Sequence, residues 1–263
     1  MKIDTAISYA IQYYYEKWRS RRKLRLCLNM LKEILNLKKK DVVAITGTGG
    51  KTTFMMDFGR KLKTDGKVLI TVSTKIEKPT ELFNDEIFYP DIKKYLKTEN
   101  SLTIISDHVD ELKNKAIGLK ADEFSKLISD FDYVLYEADG SRKKPLKAWR
   151  EHEPVIFKET THTVGVISIK IWNKKLSPEN VFNFELFKQN FEFDLYFDFA
   201  LLLNIVTSPV GLFKSSVGEK ILFLNQCDDE KELKLAKHLK YALSGQTDIK
   251  IIYGSALKGE YYD

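Results

Sequence analysis

The residues best suited to chemistry fall within one octapeptide, "TGTGGKTT", from Thr46 to Thr53. Small residues let backbone N–H groups wrap an anion, a lysine can reach the outer oxygens of a polyphosphate, and a hydroxyl can hold a magnesium ion. Gly49, Gly50, Lys51 and Thr52 supply all three functions, flanked by Gly47, Thr48 and Thr53. The usual pattern carries a further glycine five positions before Gly50, where this chain has Ile45, so Gly47 must make the entry turn. Isolated glycines alone would mean only a tight turn. Here an apolar run, "VVAI", leads in and a helix-like segment leads out, which aims the positive end of a helix dipole at the same spot. Strand, glycine loop, Lys-Thr and helix in that order point to phosphate.

A second acidic element is "DYVLYEADGSR", an apolar strand ending in Glu137 with Gly140 three residues later. A carboxylate at a strand tip can hold magnesium through water while the Gly140 N–H faces a terminal phosphate. The spacing matches the D-x-x-G of small GTPases with Glu in first place, as in the E-x-x-G of metal-chaperone GTPases. Asp139 either orients an attacking water or a second ion, or serves only as a turn residue bonded to its own backbone. Behind it, Arg142, Lys143, Lys144, Lys147 and Arg150 form a basic run. Such a run is either a solvated face or a loop that meets an anionic substrate and steadies charge developing during transfer. His152 is a candidate proton carrier, although a lone histidine is more often structural.

A third element, "KILFLNQCDD", is a strand followed by Asn225, Gln226, Cys227 and Asp228, one change from the N-K-x-D with which GTPases read guanine. Ser255 and Ala256, in "IIYGSALKG", resemble the short loop that completes a guanine pocket. Gln226 in place of Lys leaves both GTP and ATP open, and Asn225 and Asp228 could merely cap a helix beginning near Asp229. Cys227, beside that pocket, is either a transfer thiol or a small apolar filler.

These elements need a scaffold that brings strand ends together. Apolar runs at Asp41 to Thr46, Val68 to Ser73, Leu102 to Ser106, Tyr133 to Ala138, Val164 to Lys170, Ile221 to Asn225 and Ile249 to Tyr253 read as strands. Helices are expected at Lys51 to Thr64, Asp91 to Lys97, Ala121 to Phe131 and Asp229 to Leu243. Alternation of this kind predicts an α/β fold, P-loop NTPase-like, with a mostly parallel sheet covered by helices on both faces and ligands at the strands' carboxyl ends. The aromatic, acidic stretch Ser177 to Phe199 is expected to form one or two helices that cap the sheet edge or shape a cleft. Helical spacing at Ile3, Ile7, Ile11, Tyr14 and Trp18, and again at Leu24, Leu28, Leu31 and Leu35, marks residues 1–37 as an N-terminal helical extension to a nucleotide-binding domain at 38–263. That extension either packs on the domain or docks on a membrane or partner.

The bulk numbers fit this scheme. The 263 residues are 43% hydrophobic and 30% charged, with 43 basic against 37 acidic side chains and a net charge of +6. This is the composition of a soluble globular protein, and its mild positive charge suits anionic ligands without calling for nucleic acid. Cys27 and Cys227 are too few and too far apart for a zinc site or a disulfide framework. No secretion signal and no long uninterrupted apolar run is seen, so a cytoplasmic protein without a transmembrane segment is expected.

Two resemblances add to this reading. "TGTGGKTT" is similar to the ATP loop of the Mur ligases, T-G-T-x-G-K-T, in which the missing glycine is tolerated. "VVAITGTGGKTT", "VLITVSTKIEKP", "YEADGSRKKPLKAWREHEPVI", "TSPVGLFK" and "LFLNQCDD" together resemble the YqeC family, accessory proteins of selenium-dependent molybdenum hydroxylases, over roughly residues 38 to 256. The resemblance implies a nucleotide-binding helper in maturing a selenium- or molybdenum-containing cofactor, with a pterin-type anionic precursor and a molybdenum hydroxylase as partners. Lys51, Thr52, Thr53, Glu137, Asp139, Gly140, Ser141, Arg142, Lys147, His152 and Asp228 match its motifs. The expected chemistry is magnesium-dependent hydrolysis or transfer of a phosphoryl group. Lys51 and the loop amides bind phosphates, Thr52 and Glu137 hold the ion, and Arg142 and Asp139 assist. The alternative is a switch that does not hydrolyse, in which nucleotide orders Thr71 to Lys78 and the Asp139 loop so that they dock a partner. A Mur-type ligase is a third possibility, supported by the loop alone.

Overall fold

The computed structural model describes residues 31–79, 82–97 and 101–263. The expected helix from Ile3 to Trp18, the start of the next one at Leu24 and Leu28, and Cys27 lie outside the described residues. Leu31, Leu35 and Leu37 are described and sit in the core beside Val43 and Phe58.

In chain order the strands are β1 (Val42–Gly47), β2 (Val68–Val72), β3 (Lys75–Glu77), β4 (Glu86–Tyr89), β5 (Leu102–Ile105), β6 (His108–Asp110) and β7 (Lys115–Ile117). They continue with β8 (Tyr133–Glu137), β9 (Leu146–Lys147), β10 (His162–Ser168), β11 (Val181–Phe182), β12 (Glu219–Asn225), β13 (Lys250–Ser255) and β14 (Glu260–Tyr262). The helices are α1 (Lys51–Leu62), α2 (Ala121–Leu127), α3 (Phe184–Asn190), α4 (Phe199–Thr207) and α5 (Glu230–Ser244).

A nine-stranded sheet runs β14-β13-β12-β10-β1-β8-β2-β5-β4. Its pairings are parallel except for the terminal β13–β14 pair. Every residue of β1, β2, β8 and β10 is buried, as expected when helices cover both faces and strands read as continuous apolar runs. Alternate residues still part company. Val43 and Ile45 face Phe54, Phe58 and Leu62 of α1, whereas Val42 and Ala44 face Phe124 and Leu127 of α2. Each such side chain contributes roughly 1.5–3 kcal/mol of burial. Phe54, Phe58 and Leu62 recur every fourth residue, and Phe54 meets Phe223 of β12 at a ring separation of 5.1 Å. That stripe anchors α1, whose first residue is Lys51.

Chain order around β1 creates the ligand position. From β1 the chain crosses through α1 to β2, leaving a place that β8 fills, while β10 and β12 build outward on the other side. Such a reversal opens a crevice beyond the strand ends. The register puts Ile45 beside Glu137 and Gly47 beside Val166.

Several sequence expectations are corrected. Asp91 to Lys97 holds only a 3-10 turn, Ile92–Lys94, because the Asp91 carboxylate takes the Lys93 N–H at 2.9 Å and Leu96, 75% exposed, gives no buried face to extend it. Ala121 to Phe131 divides into α2 and a 3-10 turn at Ile128–Asp130. The stretch Ser177 to Phe199 combines the short β11, which pairs with β9, with α3, and its Phe187, Phe191 and Phe197 join the same buried cluster as Trp149. Strands β3, β4, β6, β7, β9, β11 and β14 and helix α4 go beyond the expected elements. Among the described residues no helix is long and apolar enough to cross a membrane.

Candidate functional site

Gly47, Gly49 and Gly50 all take positive φ angles, 96°, 77° and 104°. The loop therefore needs glycine, which adopts the left-handed region without penalty. At Gly50 a Cβ would also stand 2.6 Å from the Asn225 amide nitrogen. Gly50 is the N-cap of α1 and brings no side-chain cap, and no acidic residue occupies the first turn. The first-turn N–H groups are thus left for an external acceptor.

Lys51 is 4% exposed, and its ammonium curls back to donate to the Gly47 carbonyl at 2.7 Å. It also lies 3.3 Å from Glu137 and 3.2 Å from Asp139. Burial opposes its charge, but those two carboxylates hold the ammonium above its ordinary range. The Thr52 hydroxyl donates to the other Glu137 oxygen at 2.7 Å. A hydroxyl and a carboxylate oxygen at this separation are the hard donors a magnesium ion prefers, with water and phosphate oxygens needed to complete an octahedron.

Asp139 does not act as expected. It neither caps its own turn nor faces the cleft, since it is 0% exposed and its oxygens are fully engaged. It accepts from Gly47 N at 3.1 Å, Thr46 Oγ1 at 3.0 Å and Trp149 Nε1 at 2.6 Å, and pairs with Lys51 and Lys147. Burial works against its ionisation, yet Lys51 and Lys147, with the Gly47 N–H, hold its carboxyl below its ordinary value. With no oxygen free for water or metal, it organises the lysines and the glycine loop. Lys147 is corrected likewise. It is 0% exposed, donates to the Gly140 carbonyl at 2.8 Å and pairs with Glu153 at 3.0 Å, so it meets no substrate.

A cleft of about 480 Å³ opens above these residues, lined by Gly49, Gly50, Lys51, Thr52, Thr53 and Glu137 on its floor and by Gly140, Ser141, Arg142, Lys143 and Pro145 on one side. A Cβ at Gly140 would meet nothing within 4 Å, so this glycine faces open space. Arg142 lines the cleft with its guanidinium 5.1 Å from the Phe182 ring centre. Thr48 turns away, its N–H bonded to Val166 O at 2.8 Å and its hydroxyl to Pro145 O at 2.7 Å, and so shapes the loop rather than the cleft. His152 is exposed and does not line the cleft.

The third motif converges on the same end of the sheet. Asn225 donates to the Gly49 carbonyl at 2.8 Å and accepts from Ala256 N at 2.9 Å. Asp228 accepts from Ser255 Oγ at 2.7 Å and Lys170 Nζ at 2.5 Å. Neither residue caps α5; that part belongs to Asp229, whose carboxylate takes the Glu232 N–H. Gln226, at φ 66°, reaches the cleft and hydrogen-bonds Ser168. The Cys227 thiol is buried and pushed up to about 12 by that burial, which makes it a packing residue instead of a nucleophile.

A family model described as YqeC protein matches residues 43–185, more than half of the chain. The chain belongs to the YqeC family. A curated relative from Escherichia coli (strain K12), named "Uncharacterized protein YqeC", is 28% identical over 204 residues, covering 73% of this chain and 79% of its own. The YqeC match takes in the glycine loop, Glu137 and the Asp139 to Lys147 segment, and ends before Asn225.

Lys75, Ile76, Glu77 and Lys115 line the far side of this YqeC-family cleft. The first three fall within the Thr71 to Lys78 segment expected to respond to nucleotide, though not as cleft lining, and Lys115 was missed altogether. They lie on strands of three residues each, β3 and β7, too short for an alternating pattern to stand out. The only available signal was the "TKIEKP" segment, whose charges flank a single apolar residue.

Proposed function

We propose that this protein binds a nucleoside triphosphate, GTP or ATP, with magnesium, and hydrolyses it or transfers its terminal phosphoryl group. The observation that carries the reading is the meeting of Lys51, Thr52 and Glu137 at the glycine loop, with separations of 3.3 Å and 2.7 Å. An entering triphosphate takes the first-turn N–H groups of α1 and draws the Lys51 ammonium off Gly47 O toward its outer oxygens. Thr52 and Glu137 would hold a magnesium ion, which would supply neutralisation of charge on the phosphate oxygens. Gly140 leaves room for the terminal phosphoryl group, and Arg142 at the rim answers the charge that develops there. Phosphoryl transfer needs mostly such positioning, so no covalent nucleophile is invoked. The Asp228 carboxylate would accept hydrogen bonds from the N–H groups of a base, with Ser255 holding it in place.

We further propose, from the resemblance of its motifs to the YqeC family, that this activity is cytoplasmic and serves in maturing the cofactor of a selenium- or molybdenum-containing hydroxylase, with an anionic precursor as acceptor. The test is turnover and binding together. Lys51→Ala should abolish hydrolysis and weaken triphosphate binding by about a hundredfold or more, as loss of a charge-assisted contact to polyphosphate implies. Thr52→Val should remove the magnesium dependence of binding with the fold retained. Hydrolysis unchanged in Lys51→Ala overturns the reading. Calorimetry with GTP and ATP, with and without magnesium, settles the base.

A switch that docks a partner without hydrolysis is the second reading, and one contact favours it. Ser73 N–H donates to the Glu137 carbonyl at 3.1 Å, so a shift at the ion site is passed to the Thr71–Lys78 segment. Nucleotide-dependent partner binding with negligible single turnover would select it.

A further inference from the structure

The cleft has a second charged wall, of which the triphosphate reading uses only Arg142. Strands β3, β7 and β6 form a small antiparallel sheet. Ile76 and Ala116 are turned inward, at 8% and 2% exposure, against Val72 and Phe88. Strand alternation then sends Lys75, Glu77 and Lys115 to the opposite face. Glu77 and Lys115 are partners in register, and both line the cleft with Lys75. Arg142 and Lys143 approach from the loop between β8 and β9, both with left-handed backbones at φ 50° and 63°.

Four cations, Lys75, Lys115, Arg142 and Lys143, line this part of the cleft with the Glu77 carboxylate. Glu77 lies 2.7 Å from Lys143 and 3.7 Å from Lys115, and the Lys143 ammonium holds its carboxyl below the ordinary range. Asp110, beside Lys115 in register, is taken by Lys113 at 3.3 Å. Lys75 and Arg142 form no ion pair among the described residues. Glu77 is 56% exposed on its side chain and can swing aside. It stands where an incoming anion would be held, as a counter-ion that such a ligand displaces.

We propose that this wall is a second anion subsite, which binds the phosphate group of a small-molecule co-ligand sharing the cleft with the nucleotide. The inference rests on the triphosphate reading of the glycine loop. Lysine ammoniums and an arginine fork converging from two elements suit a phosphate dianion better than a single carboxylate. A cleft of about 480 Å³ shared with a triphosphate tail admits a small molecule and not a folded partner.

The experiment is calorimetric titration of inorganic phosphate into the full chain, saturated beforehand with magnesium and a non-hydrolysable triphosphate analogue so that the glycine loop is filled. One further phosphate site is expected. Replacing Lys75→Ala and Lys115→Ala together should weaken it about tenfold or more, and Glu77→Gln should tighten it several-fold by releasing Lys143 and Lys115. All three side chains are at least partly exposed, so these variants keep the fold. No phosphate uptake by the analogue-filled protein, or uptake indifferent to these variants, overturns the proposal. Should the analogue itself not bind, the glycine-loop reading fails alone. The phosphate titration of wild type against the double-lysine variant then still decides the subsite, with a tenfold loss supporting it and equal binding overturning it.

Discussion

Asp139 and Asp228 each follow a parallel strand of the same sheet and each close a motif that promised ligand contact, yet their surroundings differ. Asp139 is 0% exposed and committed to two lysines, a backbone N–H, a hydroxyl and an indole. Asp228 keeps 28% of its side chain exposed, and among the described residues its carboxylate hydrogen-bonds Ser255 and Lys170. Both carboxyls lie below their ordinary value against the pull of burial. Depth assigns the roles. In the interior a charge cannot change partners without leaving another stranded, whereas at the rim water or a ligand can replace a partner.

The sharpest way to break this contrast is Asp139→Ala. It leaves Lys51 with Glu137 and Lys147 with Glu153 as their remaining carboxylates and orphans the buried Trp149 and Gly47 N–H groups, so denaturant unfolding should register a loss of about 3 kcal/mol. Acid should produce a fraction of that effect in the intact protein. The folded-state pKa of Asp139 lies below its unfolded value of 3.8, so its contribution is complete above about pH 4 and is lost as pH falls through the depressed value. Melting temperatures followed downward from pH 5 should fall less steeply in Asp139→Asn, and equal slopes would mean that this carboxylate is not the responsible group. Gly140→Ala separates binding from stability. Its new methyl enters open space, so unfolding should change by less than about 0.5 kcal/mol, while triphosphate affinity falls about tenfold and diphosphate affinity holds. Asp228→Asn is the mildest change. Its stability cost should stay within about 1 kcal/mol, as at other partly exposed pairs, and the ratio of GTP to ATP affinity should shift several-fold. An unaltered ratio would remove Asp228 from base recognition.

What the sequence made legible was whatever is local. The parallel strands stand out as apolar runs because both of their faces are covered, and Gly49, Gly50, Lys51 and Thr52 are adjacent in the chain. Glu137 could be paired with Lys51 only by supposing that their strands lie side by side, which the β1–β8 register bears out. Long-range partners left no trace. Trp149, ten positions after Asp139, and Gly47, ninety-two before it, meet it only once the sheet forms. Lys147 looked like one more member of a basic run, but β9 pairs with β11, and its side chain turns in beneath the loop. Strand β4 was hidden because its first residue, Glu86, is a buried carboxylate held by Arg60 and Lys63, against the ordinary rule that charges mark the surface.

The Asn225 side chain is a single rigid plane with one hand on Gly49 O and the other on Ala256 N. Rotating that amide releases both grips at once, so the turn after β13 and the glycine loop cannot loosen independently. If a nucleotide spans the two ends as proposed, any coupling carried by this amide must be equal in both directions. Nucleobase and polyphosphate tail would each strengthen the hold on the other through one asparagine.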